Sequence, residues 1–204
     1  MSRPLRAFIL LLLMAACGSR SDNGLAPRNL DNACSILDER PEFRRAFRAS
    51  ERRWGVPMPV QMAVIYQESK FISDARTPFR YTLGVIPMGR QSSAYGYSQA
   101  LDATWDEYRD DTGRRSARRD NINDAADFMG WYMAVSSEKL GISRADTRSQ
   151  YLAYHEGRTG FRRGTYNGKP WLLRITDEVA SRAQTYGYQL DQCGGRSGFA
   201  SSQF

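Results

Sequence analysis

The chain has 204 residues, 41% of them hydrophobic, 12% aromatic and 25% charged, with a formal net charge of +7 and a single histidine. That composition suits one sizeable core rather than two and argues against global disorder. One imidazole, His155, all but excludes a two-His metal site and leaves any nucleophile-His-acid triad a single base. Phosphate-loop and dinucleotide-fold glycine patterns are absent, so no cofactor is expected. Carboxylate chemistry stays open. All but three of the 29 basic residues (Lys70, Lys139, Lys169) are Arg, concentrated at 44–53, 114–119 and 162–163. Such a surface either attracts polyanions or is simply well solvated.

Residues 1–16 read as a secretory signal, with Arg3 and Arg6 ahead of the apolar run 7–16 (AFILLLLMAA). As a helix that run rises only about 15 Å, half the hydrocarbon thickness of a bilayer, so it is not a spanning segment. The sequence Met14-Ala15-Ala16-Cys17 resembles the lipobox of bacterial lipoproteins. The resemblance implies cleavage before Cys17, lipidation of that residue and a periplasmic protein held to a membrane by its lipid. Gly18 stands where some bacteria carry an inner-membrane-retaining Asp, which favours the outer membrane. Export also removes the chain from nucleic acid, and no nucleic-acid partner is expected. Two cysteines remain, Cys34 and Cys193. An even pair in an exported protein reads as a disulfide, worth roughly 5 kcal/mol in the chain-entropy model for so long a loop.

Residues 17–33 are rich in Gly, Ser, Asn and Asp and are expected as a flexible tether. The folded domain is expected over 34–193, with 194–204 as a disordered tail. Within the domain the apolar spacing is helical. Pro41 opens a helix carrying Phe43, Phe47, Ser50 and Trp54 on one face, stopped by Gly55 and Pro57. After Pro59, VQMAVIYQES is apolar around most of its circumference, the mark of a central helix. Thr104-Trp105-Asp106-Glu107 spells a capping box for a short helix to about Asp110, closed near Gly113. Ile122, Ala125, Ala126, Met129, Met133 and Ser136 give a further helical face. Helices around 150–156 and 171–186 follow. The expected architecture is mainly α, a single domain of six or seven helices.

Glu68 is the foremost chemical candidate. It ends the buried helix, where apolar neighbours and the negative end of the helix dipole both disfavour ionisation, as a general acid near neutral pH requires. The stretch Val56-Pro57-Met58-Pro59-Val60-Gln61-Met62-Ala63-Val64-Ile65-Tyr66-Gln67-Glu68-Ser69-Lys70-Phe71, with Asp74-Ala75, resembles the catalytic-helix signature of the soluble lytic transglycosylase (SLT) domain. A Gly-x-x-Gln turn is matched at Gly96-Tyr97-Ser98-Gln99. The family's Ala-Tyr-Asn-x-Gly helix is matched at Ala153-Tyr154-His155-Glu156-Gly157, with His in place of Asn. Three motifs in order are far more specific than one.

The resemblance implies a lysozyme-like fold and cleavage of peptidoglycan glycan strands. It implies Glu68 as the sole acid and base, with Tyr154 placing its hydroxyl near the carboxyl. Ser69, Gly96, Tyr97, Ser98, Gln99 and His155 would face substrate, Gly96 by allowing a tight turn and close approach of a sugar. In this family N-acetylmuramic acid supplies its own C6 hydroxyl, so one carboxyl protonates the leaving oxygen and then accepts the C6 proton, closing a 1,6-anhydro ring. A hydrolase needs a second carboxylate; Asp74, Asp102 and Glu156 are candidates. The stretch between Glu68 and Gln99 is long, and 76–93, rich in Arg and aromatics, is expected as a loop forming one wall of the cleft. Tyr81, Tyr95, Tyr97, Trp105, Trp131 and Tyr132 are candidates for stacking on sugars, the last two more consistent with core. Two other readings stay open: a muramidase-type hydrolase on the same fold, and a silent wall-binding lipoprotein.

Overall fold

The computed structural model describes residues 24–82 and 86–194, with the backbone alone at 80–82 and 86–88. The expected signal, the lipidation residue Cys17 and the tail beyond Gly194 lie outside the described residues. Within them run seven α-helices and one hairpin: α1 (Ala33–Glu39), α2 (Pro41–Trp54), α3 (Met58–Ser69), β1 (Phe79–Thr82), β2 (Ile86–Arg90), α4 (Asp102–Thr112), α5 (Ile122–Leu140), α6 (Thr147–Arg163) and α7 (Pro170–Gly194). The mainly helical, lysozyme-like reading holds.

Packing of α2 on α5 forms one half of the frame. Pro41 starts α2 where a missing N–H costs nothing, and Gly55 ends it at φ +68°. The face Phe43, Ala46, Phe47 and Ser50 is buried, and the Ser50 hydroxyl donates to the Ala126 carbonyl at 2.7 Å. A side chain at Gly130 would collide with that hydroxyl, so the helices approach this closely because Gly130 has none. The other half is α3, buried without a break from Val60 to Ile65 and packed along α7.

The end of α3 is unusual. Lys70 and Phe71 both adopt positive φ, 54° and 61°, a conformation that costs a non-glycine residue about 1 kcal/mol or more. Burial of the Phe71 ring against Phe43 (5.7 Å) and Phe47 (6.5 Å) offsets that cost. The chain therefore turns sharply just after Glu68.

Four expectations are corrected. Residues 24–32 of the expected tether are packed on the domain: Pro27 is buried, Tyr186 and Arg182 both donate to the Leu30 carbonyl, and Gln189 donates to the Asp31 carbonyl at 3.0 Å. Polar composition suggested freedom, yet side chains of α7 hold this backbone. The long loop after Glu68 is a two-stranded antiparallel hairpin, pairing Phe79 with Arg90 and Thr82 with Ile86. Helix α4 begins at Asp102, not Thr104. The Ser93 hydroxyl takes the Asp102 N–H at 3.1 Å and Arg119 pairs with its carboxylate at 2.7 Å, so tertiary contacts override the capping-box spelling. Helix α6 extends past 150–156 at both ends, capped by Asp146 and broken by Gly157 at φ 72°, ψ 158°. The short helix α1, capped by Asn32, is an element the periodicity did not reveal.

Two apolar clusters fill the interior. The larger joins α1, α2, α3, α5, α6 and α7; the smaller gathers Trp105, Tyr108, Phe128, Trp131 and Tyr132. Trp54 and Tyr154 pack against both. The Cys34–Cys193 disulfide, spanning 159 positions, ties α1 to the end of α7 as expected.

Candidate active site

Glu68 and Tyr154 are brought together by α3 and α6. Residues Tyr151, Tyr154 and His155 stand at i, i+3 and i+4, one ridge of α6. Tyr151 is buried, and Tyr154 is wedged edge-on between Tyr132 (5.0 Å) and Phe128 (6.5 Å). Burial first, and then the nearby charge of Glu68, push both phenols above their ordinary range. The three side chains thus share one electrostatic neighbourhood.

Glu68 is half-buried as a residue, and desolvation of its carboxyl pushes it up to about 8, opposed by the Lys70 ammonium. Neither a hydrogen bond nor a second carboxylate contributes. At neutral pH the folded protein therefore holds a protonated carboxyl within electrostatic reach of two phenols. The Tyr154 hydroxyl donates not to Glu68 but to the Ser98 carbonyl at 2.5 Å. With its proton spent there, the Tyr154 oxygen is left as an acceptor.

That bond locks the 96–99 turn onto α6. Gly96 sits at φ +78°, and a side chain there would collide with the Arg119 carbonyl. The tight turn is formed, and the backbone of Arg119 fills the space that a side chain at Gly96 would take. Tyr97 donates its N–H to the same carbonyl at 3.2 Å, and its ring is fully buried, edge-on to Phe43 at 5.7 Å. It is a core residue. Ser98 is fully buried, so its contribution is the carbonyl that holds Tyr154. Both N–H groups of the Gln99 amide are used, on the carbonyls of Ala75 (2.8 Å) and Gly96 (2.9 Å), which pins the turn to the base of the hairpin. Ser69 is buried with its hydroxyl turned back to the Ile65 carbonyl of its own helix at 3.3 Å. Of the residues expected to face substrate, Ser69, Gly96, Tyr97 and Ser98 are buried, Gln99 is half-buried and His155 is exposed.

The stacking candidates sort similarly. Tyr97, Trp105, Trp131 and Tyr132 are buried, while the Tyr95 ring is covered by the Arg76 guanidinium at 4.2 Å. Two of the carboxylates considered as a second acid are engaged by other groups. Asp102 pairs with Arg119 at 2.7 Å, and Glu156 accepts from Lys169 at 2.8 Å, Thr165 and His155 at 3.0 Å. Asp74 is exposed to solvent.

Sequence reasoning missed Tyr151, although its spacing from Tyr154 is the signal that finds it. It also missed Lys70, whose ammonium lies 3.7 Å over the Tyr66 ring while Arg182 lies 3.6 Å over the same ring. These side chains line a cavity of about 660 Å³ with Glu178 and Thr185. Tyr66 lies on α3 and Lys70 just past its end, and Glu68 is not among the residues lining that cavity. Arg182 there is held by Asp31 at 2.9 Å.

A helical domain in which a half-buried carboxyl at the end of the central helix acts on the phenols of a second helix, one of them tied to a glycine turn, is lysozyme-like in its build. The chain belongs to the transglycosylase SLT domain family, whose sequence model matches residues 5–193. It is accordingly a transglycosylase-type enzyme of peptidoglycan. No protein of curated function matches it.

Proposed function

We propose that the protein is a lytic transglycosylase that cleaves the β-1,4 bond between N-acetylmuramic acid and N-acetylglucosamine without consuming water. Glu68 protonates the glycosidic oxygen and breaks its bond to C1. The resulting carboxylate then accepts the proton of the C6 hydroxyl, and the C6 oxygen closes on C1 to form the 1,6-anhydro ring. The observation that carries this reading is a carboxyl pushed up to about 8 by burial, with no carboxylate partner contributing. Such a group is charged with a proton at neutral pH, as an acid must be, and basic once it has given the proton away. A second catalytic carboxylate, whether nucleophile or water-activating base, would stand about 5–9.5 Å from the acid, and its charge would add to the upward shift.

Tyr154 supports the cycle by presenting its oxygen to the Glu68 neighbourhood, held in place by Ser98. The Cys34–Cys193 bridge supports export to an oxidising compartment. With the lipobox-like sequence at Cys17, this favours a periplasmic lipoprotein, anchored at the outer membrane.

Digestion of purified sacculi by wild type and by Glu68→Gln tests the reading, with products resolved by mass. Anhydro ends from wild type, lighter than reducing ends by one water, and none from Glu68→Gln are expected. Reducing ends would replace the lyase by a muramidase. Binding without release of either product would leave a wall-binding protein.

A further inference from the structure

Trp171 is 45% exposed, whereas Trp105 and Trp131 are buried and Trp54 is half-buried. It is the second residue of α7, directly after Pro170, and its indole is packed edge-on against the His155 imidazole at 5.4 Å. His155 in turn lies 6.2 Å from Tyr151, one of the two phenols raised by burial and then by the charge of Glu68. A row of rings therefore runs from the candidate acid to the surface and ends in an open indole.

Its outer end is held by a buried carboxylate that the proposed reaction does not use. Glu156 has a side chain only 4% exposed and accepts from Lys169 Nζ at 2.8 and 2.9 Å, from the Thr165 hydroxyl and from His155 Nδ1 at 3.0 Å. Burial alone would raise its pKa, but these donors together outweigh burial and hold it near 2, so it is ionised across the working range. Lys169 immediately precedes Pro170 and Trp171. One carboxylate thus fixes both the imidazole and the start of the helix that carries the indole. With Nδ1 directed to Glu156, Nε2 is left for an outside partner. An apolar face beside a fixed polar group is what a pyranose ring requires, since its C–H face stacks while its hydroxyl and acetamido groups hydrogen-bond.

We propose that Trp171 and His155 form an outer carbohydrate subsite, the indole stacking on a sugar of the glycan strand, with Glu156 and Lys169 as positioning residues. The inference rests on the peptidoglycan reading given above. Its test uses the Glu68→Gln protein, expected to bind strands without turning them over, titrated with peptide-free glycan strands prepared from sacculi. Tryptophan emission should change on binding. Adding Trp171→Ala should abolish that change and weaken binding about fivefold, and Trp171→Tyr should restore the affinity. In the active protein, Glu156→Gln should raise KM for strands while leaving kcat within about twofold; a fall in kcat at unchanged KM would overturn the positioning role. Equal strand affinity with and without the indole would overturn the subsite while leaving the Glu68 reading intact. Failure of Glu68→Gln to bind strands at all would overturn both.

Discussion

Replacing Glu68 by Gln should stabilise the fold, and by an amount that depends on pH in a defined way. In the unfolded chain this carboxyl ionises near its ordinary value of 4.5, whereas burial holds it up to about 8 in the folded protein. Between those values the native state binds the proton more tightly than the unfolded state, so wild-type stability falls as pH rises through that window. The amide introduced by Glu68→Gln mimics the protonated acid and loses nothing. At 1.36 kcal/mol per pH unit the gap between variant and wild type should open to about 4–5 kcal/mol by pH 8 and level off above it. That is a large share of the 5–15 kcal/mol typical of a domain. Urea unfolding of both proteins at half-unit intervals from pH 5 to 9 measures the gap directly. Subtraction removes every other titration, including that of Glu156, whose depressed pKa places its loss of stability below pH 4.5. A difference that stays flat between pH 5 and 8 would refute the buried-acid argument. The same titration should appear in catalysis, with kcat/KM falling above about pH 8 as the acid loses its proton.

Tyr154→Phe should lower turnover partially and destabilise the domain by about 1 kcal/mol, because the ring packing survives while the bond to the Ser98 carbonyl goes; unchanged kcat would make the hydroxyl purely structural. Gly96→Ala should cost at least about 2 kcal/mol in urea unfolding, since φ is +78° and the new methyl would collide with the Arg119 carbonyl. An unaltered unfolding midpoint would mean that the turn relaxes freely. Asp127, 7% exposed, accepts from Arg53 (3.0 Å), Trp54 (3.0 Å) and Tyr108 (2.7 Å). Asp127→Ala should therefore destabilise by about 3 kcal/mol, reading as a fall in thermal midpoint with kcat retained after folding at low temperature.

Much of the frame was legible because its causes are local. Pro41 and Gly55 bracket α2, Gly113 closes α4, and the apolar spacing of Ile122 to Ser136 describes the buried face of α5. The continuous apolar character of 60–65 marked α3 as central, and Cys34 and Cys193 could pair only with each other once Cys17 was set aside. The hairpin escaped because its strands are short and lack clean alternation. The packing of residues 24–32 escaped because the groups that hold it, Arg182, Tyr186 and Gln189, lie on α7. Asp127 escaped because nothing near it in sequence announces the Arg53, Trp54 and Tyr108 donors.

The site divides along the same line. Sequence by itself determined which residue types stand on which elements: a glutamate closing an apolar helix, a glycine where only a positive φ fits, and a tyrosine one helical turn from another. Those follow from side-chain size, backbone dihedrals and 3.6-residue periodicity, all of which act over a few positions. The tertiary structure decided what each one faces. It gave the Gly96 gap to the Arg119 backbone, sank Tyr97 and Ser98 out of reach, turned the Tyr154 proton toward Ser98, and left Trp171 open beside His155. The proton affinity of Glu68 belongs to that second group, because desolvation is set by everything packed around the carboxyl and not by its neighbours in the chain.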